Sequence, residues 1–264
     1  MTVGAARDGG PGAVQLTERD LRGLLFVAEM YGLQFDLLAR LLELSEDATR
    51  RLAARWRRLG YAGTGRLGPG PAWVWLTRRG LTACGLRYTA VPPALSRLAH
   101  IRAAAVVRLA LESAPSYRES GAHWRSERRL RARIGGRVGV REHVPDGEIH
   151  FPNGCALPYA GECWAVEAEL TRKTVPRTAA IMRELLARTG DYGCPAAQAA
   201  VPGRPQRHTR VLYLCSAGAR PVVARAAAQL GGQAARIEIR ALPAAAALGG
   251  PRGTGAPRET GDPA

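Results

Sequence analysis

The sequence predicts an α+β protein in which a helical first third precedes a region of strands and helices built around a small mixed sheet. Two observations indicate this class. Apolar residues between about 16 and 60 recur at intervals of three and four, as in amphipathic helices. Beyond residue 124, short apolar segments with the character of strands alternate with helical segments. The 264 residues are enough for about two domains.

The charge of the chain points to polyanionic partners. Lys and Arg number 38 against 22 Asp and Glu, which gives a net charge of +16 and a pI near 10.9. No segment reaches the roughly 18 consecutive apolar residues of a membrane span, and no signal peptide is recognisable. We therefore expect a cytoplasmic protein that binds nucleic acid, with an anionic membrane surface as a weaker alternative.

Two further features of the composition guide the search for a site. The basic residues are nearly all arginine, as in proteins from GC-rich genomes, so the single lysine, Lys173, is more informative than any one arginine. The cysteines lack paired short spacings, which argues against a zinc cluster and against a disulfide framework, and we expect them to be reduced. They are Cys84, Cys155, Cys163, Cys194 and Cys215.

The first third of the chain has the pattern of a winged helix-turn-helix. A hydroxyl at Thr17 followed by Asp20 predicts the start of a first helix, a second covers 34–44, and Ser45 caps a third that ends at Gly60. Two short strands, 61–64 and 73–76, enclose a loop rich in Gly and Pro. Residues 16–91 are therefore predicted to be a winged helix-turn-helix DNA-binding domain.

The third helix separates an apolar arc from a basic one. Ala48, Leu52, Trp56 and Leu59 fall on one arc, so the arginines on the other are free to enter the major groove of double-stranded DNA. The alternative is a solvated charged helix without function. Residues 75–80 also resemble the end of the wing in many bacterial winged-helix regulators. The predicted DNA-binding residues are Arg50, Arg51, Arg57, Arg58, Arg66, Arg78 and Arg79.

The rest of the chain divides into three predicted segments. A basic helix, 92–115, is either a linker or the seam of a homodimer, and the C-terminal segment 243–264, like residues 1–15, is predicted to be a disordered tail. Between them lies an α/β domain, 116–242. Its predicted elements are a helix at 125–134, strands at 138–144, 148–151 and 163–170, a helix at 175–189, a strand at 210–215, a helix at 221–230 and a strand at 236–240.

Carboxylates in this second domain form a candidate metal site. Glu167 and Glu169 are two residues apart, so their side chains share one face of a strand, and Asp146 on a neighbouring strand adds a third oxygen ligand. Three such ligands suit Mg²⁺ or Mn²⁺, which would support chemistry at a phosphodiester, with Lys173 stabilising the developing charge. Alternatively, Asp146 is a turn residue and the glutamates face solvent on an edge strand.

These residues resemble the PD-(D/E)XK nuclease superfamily, in which Pro-Asp begins one strand and Glu-x-Lys ends the next. Pro145 and Asp146 match the first motif, and 167–169 matches the second except that Glu169 stands where lysine is usual. Lys173 is then the substitute for that lysine, and without it the site would bind metal and fail to cut. The resemblance also implies that Glu127 is the acidic residue of the helix before the sheet, and it predicts a restriction-endonuclease-like α/β domain.

A narrower resemblance covers about residues 16–240. A winged helix followed by Ser-Glu-Arg at 126–128, His-x-Pro-Asp-Gly-Glu at 143–148 and Val-Glu-x-Glu-Leu-Thr-x-Lys at 166–173 looks like the actinobacterial replication-relaxation family. That family is similar to plasmid mobilisation relaxases. The resemblance implies a protein of a plasmid or other mobile element that nicks DNA with metal, on either duplex or single-stranded DNA.

The alternatives belong to different functional classes. The chain is either such a nuclease or relaxase, or a transcription or replication regulator whose nuclease-like domain is inactive, or a basic architectural protein without sequence preference. Tyr192 and Tyr213 would be the candidate nucleophiles of a tyrosine relaxase, although a core or surface role is the commoner one. His123, His143 and His150 do not fall at the spacing of metal ligands, and the last two flank the strand of Asp146.

Overall fold

The structure is a computed structural model that describes residues 16–134, 142–155, 157–190 and 207–246. It confirms the α+β class, with a three-stranded antiparallel sheet near the N-terminus and a five-stranded mixed sheet in the second half. None of the helices it describes has the length and apolar character required to cross a bilayer.

The N-terminal region contains the predicted helices and the hairpin. The helices are α1 (Glu18–Glu29), α2 (Phe35–Leu42), α3 (Glu46–Arg58) and the short α4 (Arg78–Ala83), and the hairpin strands are β2 (Ala62–Gly65) and β3 (Trp73–Leu76). The prediction missed β1 (Leu33–Gln34), which pairs with the outer edge of β3 and gives the order β1-β3-β2. A two-residue strand directly before a helix has no periodicity of its own, so the sequence extends the helix over it.

Side-chain caps and buried faces position α1 and α3. The Thr17 hydroxyl accepts from the backbone N–H of Asp20 and the Asp20 carboxylate accepts from the backbone N–H of Thr17, a reciprocal cap that starts α1. The face that α3 buries consists of Thr49, Leu52, Ala53 and Trp56. Thr49 is buried where Ala48 was predicted, because its hydroxyl donates to the Ser45 carbonyl and needs no water.

The basic helix predicted at 92–115 is shorter than expected and is largely buried. As α5 it runs over Leu98–Ser113 after a 3-10 turn at Leu95–Arg97, and most of its residues are buried. It contacts α2 and β1 on one side and the five-stranded sheet on the other. Alanines occupy several sides of this helix, so other elements can pack against more than one side of it. This explains why its amphipathic pattern is weak.

The five-stranded sheet combines an antiparallel and a parallel half. Its strands are β4 (His123–Ser126), β5 (Gly147–His150), β6 (Cys163–Glu169), β7 (Arg210–Cys215) and β8 (Ile237–Ala241), in that spatial order. The first three pair antiparallel and the last three parallel, with α8 (Val175–Ala187) and α9 (Arg220–Ala228) as crossovers. The short helices α6 (Pro115–Glu119) and α7 (Glu127–Ile134) flank β4.

Three predicted elements of this region differ from the structure. The helix predicted from residue 125 begins at Glu127, because 123–126 is paired with β5 as strand β4. The strand predicted at 138–144 is wrong at 142–144, which is not extended into the sheet, and 138–141 lies outside the described residues. The prediction of a tail from residue 243 is wrong at 244–246, since Ala244–Ala246 forms a 3-10 turn packed on α5; the rest of that tail and the one predicted at 1–15 lie outside the described residues.

Alternation along β6 gives the sheet two different faces. Trp164, Val166 and Ala168 join the core shared with α5 and the N-terminal region. Ala165 packs on the other face with residues of α8 and α9, including Met182. Glu167 and Glu169 have the parity of Ala165, so the prediction that they share one face is correct. The structure buries this face, and so the alternative of a solvent-facing edge strand is wrong.

Candidate nucleic-acid interface and acidic site

Exposed arginines cover the outer face of α3. Arg51, Arg57 and Arg58 are exposed, and within the described ranges none of them forms an ion pair. Arg50 is also exposed, but its guanidinium donates to Glu46 and Asp47, at 2.9 Å each, so its charge is largely compensated. The positive charge of α3 is therefore concentrated in its middle and at its C-terminal end.

The arginines after the hairpin adjoin that end of the helix. The Thr77 hydroxyl donates to the Gly60 carbonyl at 2.5 Å, which ties the start of α4 to the residue beyond α3. Arg79 lies over the ring of Tyr61, 5.3 Å from its centroid, and is otherwise exposed, as Arg78 is. Arg66 is exposed in the hairpin loop. We call these residues the exposed arginine set: Arg51, Arg57, Arg58, Arg66, Arg78 and Arg79.

Asp146 is held between α5 and β6. Its Oδ1 lies 2.7 Å from Nε2 of His100 on α5, and its Oδ2 accepts from the backbone N–H of Ala168 at 2.8 Å. Because Gly147 pairs with Val166, Asp146 lies next to Glu167 on the neighbouring strand. Burial alone would raise the pKa of Asp146, but the hydrogen bond with His100 and the N–H of Ala168 lower it.

The two glutamates of β6 each have a separate partner. Glu167 Oε1 lies 2.7 Å from Nε2 of His143, and Glu169 forms an ion pair with Lys173 in the turn before α8. Burial raises the pKa of Glu167, although the contact with His143 opposes this. Both carboxylates are about 5% exposed, whereas the side chains of His143 and Lys173 are 26% and 29% exposed, so each pair is shielded from water on the carboxylate side only.

Glu127 joins Asp146 rather than the β6 glutamates. Its two oxygens accept from Arg97 and from Arg131, both at 2.6 Å, and its backbone N–H donates to the Asp146 carbonyl. Ligand atoms of His100, Glu127 and Asp146 all lie within 4.8 Å of one another. They line a cavity of about 10 Å³ between the end of α1, α5 and the β4–α7 junction, which is room for about one water molecule.

The structure therefore brings only some of the predicted metal ligands close together. Among the described residues, Asp146, Glu167 and Glu169 do not form a group with ligand atoms within 4.8 Å, although Asp146 and Glu167 are neighbours. The group that does form contains an imidazole, and both oxygens of Glu127 already bind arginines. Two carboxylates and an imidazole suit Mn²⁺ better than Mg²⁺, so these residues fit Mg²⁺ poorly.

Sequence reasoning missed His100 and Arg97, which contact Asp146 and Glu127. The available signal was a lone histidine on a helix rich in alanine, valine and leucine, and such a histidine is usually a core residue. Tyr213 is almost fully buried, its hydroxyl has no partner among the described residues, and burial raises its pKa well above the ordinary value, so it is unsuited as a nucleophile. Tyr192 lies outside the described residues.

The His100–Asp146 pair gives stability a dependence on pH. The hydrogen bond with Asp146 raises the pKa of His100 above 6.5, against burial and the charge of Arg97, and with a smaller contribution from Glu127. Folded protein then holds a proton that unfolded protein releases, so this contribution is complete below pH 6.5 and is lost as pH rises through the folded pKa. The lowered pKa of Asp146 gives a contribution that is lost only as pH falls below about 3.8.

We expect the free energy of unfolding to fall as pH rises from 6.5 into the alkaline range, by up to about 1.4 kcal/mol per pH unit for each histidine whose pKa is raised, which are His100 and His143. The measurement is urea unfolding across this range in EDTA, with His100→Gln beside the wild type. His123→Gln is the matched control, because burial lowers the pKa of His123. Equal slopes in the wild type and His100→Gln would show that His100 is not the group responsible.

Comparison with family models, with curated proteins and with solved structures finds no match to the chain. The resemblance to the replication-relaxation family thus rests on the short motifs quoted above, and membership of that family stays a prediction.

Proposed function

We propose that this chain binds duplex DNA through a winged helix-turn-helix formed by residues 16–91, with α3 in the major groove and the β2–β3 hairpin as the wing. The observation that carries the proposal is the exposed arginine set, which is available for contact with phosphates or with guanine edges. Glu46 and Asp47 at the first turn of α3 would repel phosphates, so the middle and the C-terminal end of the helix make the contacts.

An exposed basic helix end also has a purely structural explanation. Arginines in the last turn of a helix stabilise its negative end, which would explain Arg57 and Arg58 without any ligand. Arg66, Arg78 and Arg79 do not lie in that turn, and this explanation does not extend to them. A DNA-binding surface accounts for all of these arginines together.

Replacing Arg57 and Arg58 together by alanine is expected to weaken binding to a 30-bp duplex at least tenfold. For every arginine that no longer reaches a phosphate, the slope of log K against log salt should also fall by about 0.9. Fluorescence anisotropy from 50 to 300 mM NaCl measures both quantities. The control is Arg225→Ala, an exposed arginine of α9. An unchanged slope in the double variant, or an equal loss in the control, would contradict the proposed interface.

For the second half of the chain we propose the role of a transcription or replication regulator, with the acidic residues serving to hold the structure. Asp146, Glu167, Glu169 and Glu127 are buried, and each already has a cationic or imidazole partner. The cavity beside Asp146 is also far too small for a phosphodiester. Buried carboxylates that already have partners leave no reactive group exposed, and removal of a partner is strongly destabilising because it leaves a buried charge uncompensated.

A second candidate function, metal-dependent nicking of DNA, is favoured by one specific observation. Asp146, the residue before β5, adjoins Glu167 of β6 where the antiparallel pair begins, as the resemblance to PD-(D/E)XK nucleases implies, and Lys173 reaches Glu169. In this candidate the protein would nick plasmid DNA, duplex or single-stranded, after its acidic residues exchange their present partners for a metal. The two functions differ in their dependence on divalent cations.

If the protein is a regulator, DNA binding should persist in EDTA, and supercoiled plasmid should stay intact in Mg²⁺ or Mn²⁺. Nicking by the wild type in Mn²⁺ that is lost in Asp146→Asn and Glu167→Gln, and kept in Glu238→Gln, would instead establish the nuclease. Glu238 is a suitable control because it pairs with Arg240 on the edge strand β8, away from the acidic site. Agarose gel electrophoresis of the plasmid separates the outcomes.

A further inference from the structure

A second cluster of metal-ligand side chains lies further along β5, outside the acidic site. Glu148 and His208 are fully buried, and Cys163 is 9% exposed. The carboxylate oxygen, the His208 nitrogen and the Cys163 sulfur lie within 4.8 Å of one another. His150, opposite Cys163 in the sheet, lies with its Nε2 2.8 Å from Glu148 Oε2 and 3.6 Å from the sulfur.

We propose that Glu148, Cys163 and His208 bind a transition-metal ion, Zn²⁺ by preference, with His150 beside the open coordination position. The sequence argued against zinc because the cysteines lack short spacings. That argument holds for clusters built from one loop, whereas these ligands come from β5, β6 and the second residue before β7, and the sheet brings them together.

Hydrogen bonding of His208 supports a cation at this position. Its Nδ1 lies 3.0 Å from the carbonyl oxygen of Leu185, an acceptor only, so Nδ1 carries a proton and donates it. In the neutral ring Nε2 then has a lone pair, which faces Glu148 Oε1 at 2.9 Å. Two lone pairs in contact require a cation between them, either a second ring proton or a metal ion. A backbone carbonyl that orients the ring in this way is typical of metal-bound histidines.

Ligand chemistry favours the metal, and the charge balance allows it as readily as a second ring proton. Arg207 donates to both oxygens of Glu148, at 2.6 and 2.9 Å, and the remaining lone pairs face His208 at Oε1 and His150 at Oε2. A second proton on His208 would leave one net positive charge among Glu148, Arg207 and His208. Zn²⁺ with a Cys163 thiolate leaves the same net charge, and it also gives the buried sulfur a role. One sulfur, one nitrogen and one oxygen suit Zn²⁺ rather than Mg²⁺ or Ca²⁺.

One separation at this site matches tetrahedral zinc, whereas the 2.9 Å between Glu148 Oε1 and His208 Nε2 must widen by a few tenths of an ångström to admit the ion. The ligand distances of tetrahedral zinc, about 2.3 Å to sulfur and 2.0 to 2.1 Å to nitrogen, place a sulfur and a nitrogen ligand about 3.5 Å apart. The sulfur of Cys163 and Nε2 of His150 are 3.6 Å apart, so His150 can complete the site or bind a water there. The ring of His123 stacks on His150 at 5.0 Å and limits its rotation.

The test uses the full chain, stripped with EDTA and then titrated with Co²⁺ and with Zn²⁺. We expect one equivalent of Co²⁺ to give a near-ultraviolet band from thiolate-to-cobalt charge transfer, and Zn²⁺ to abolish this band. Cys163→Ser should remove the band and weaken Co²⁺ binding at least tenfold, whereas Cys84→Ser, a free cysteine of the N-terminal region, should leave both unchanged. A band that persists in Cys163→Ser would overturn the proposal.

A measurement on the wild type decides the matter if Cys163→Ser does not fold. X-ray absorption at the zinc edge should show a single sulfur neighbour at about 2.3 Å and nitrogen or oxygen neighbours at about 2.0 to 2.1 Å. A shell without sulfur, or no bound zinc at one equivalent, would overturn the proposal. DNA binding through α3 is measured separately, so failure of either proposal leaves the other standing.

Discussion

Replacing Trp56 by alanine is expected to lower the free energy of unfolding by about 3 to 5 kcal/mol, a large part of the 5 to 15 kcal/mol typical of a domain. Trp56 is fully buried between α3 and α1, and its Nε1 donates to the Asp20 carboxylate at 2.9 Å. Its ring lies so close to Gly23 that even a Cβ there would be 2.7 Å from Cη2. Alanine would leave a cavity at this contact and remove a donor from a buried carboxylate.

Because Arg57 and Arg58 follow Trp56 directly, the same change should also weaken DNA binding. Urea unfolding followed by circular dichroism gives the stability, and anisotropy gives the affinity. Trp56→Phe is the matched variant: it keeps most of the apolar volume but loses the hydrogen bond to Asp20, and we expect it to cost about 1 to 2 kcal/mol. A loss below 1 kcal/mol in Trp56→Ala would show that α3 does not depend on this contact.

Trp56 also illustrates what the sequence could predict of the N-terminal region. An apolar residue at every third or fourth position, a hydroxyl cap and a glycine stop are local signals, and they located α1 and α3 closely. The two-residue β1 could not be predicted, because it exists only through pairing with β3 about 40 residues later. Strand β4 was missed for the same reason, since its partner β5 is separated from it by a helix.

The acidic site was predicted less well because the partners of its carboxylates come mostly from other parts of the chain. The parity of Glu167 and Glu169 is a property of one strand, and that prediction is correct. Their pairing with His143 and Lys173 depends on how neighbouring loops return to the sheet. His100 reaches Asp146 from α5, a helix that the sequence presents as a basic linker, so no local pattern joins the two residues. Contacts between such distant residues can be predicted only once the topology of the fold is known.

Arg102 is another residue whose contacts could not be predicted from the sequence, and its replacement has the second large expected effect on stability. In a chain with so many arginines a buried one has no distinguishing sequence signal, yet Arg102 is only 5% exposed. Its guanidinium donates to both oxygens of Asp36, at 3.1 and 2.8 Å, and its Nε donates to the Ala245 carbonyl at 3.0 Å. It also donates to the side chain of Gln34. One side chain of α5 thus joins the start of α2 to the C-terminal 3-10 turn.

Arg102→Met is therefore expected to lower the free energy of unfolding by about 2 to 4 kcal/mol, because it leaves the buried Gln34 side chain without its donor, whereas the Asp36 carboxylate is 35% exposed and water partly replaces the guanidinium there. Arg50→Ala, which breaks an exposed pair within α3, should cost less than about 1 kcal/mol. The double variant Arg102→Met/Asp36→Leu removes both charges, and we expect it to recover at least half of the loss, since methionine and leucine can pack where the ion pair stood. Urea unfolding of these variants and of Asp36→Leu completes a double-mutant cycle. A double variant that is no more stable than Arg102→Met would contradict this expectation. It would show that Arg102 joins α2 to the C-terminal 3-10 turn through its hydrogen bonds to Gln34 and Ala245, and that the pair with Asp36 contributes little.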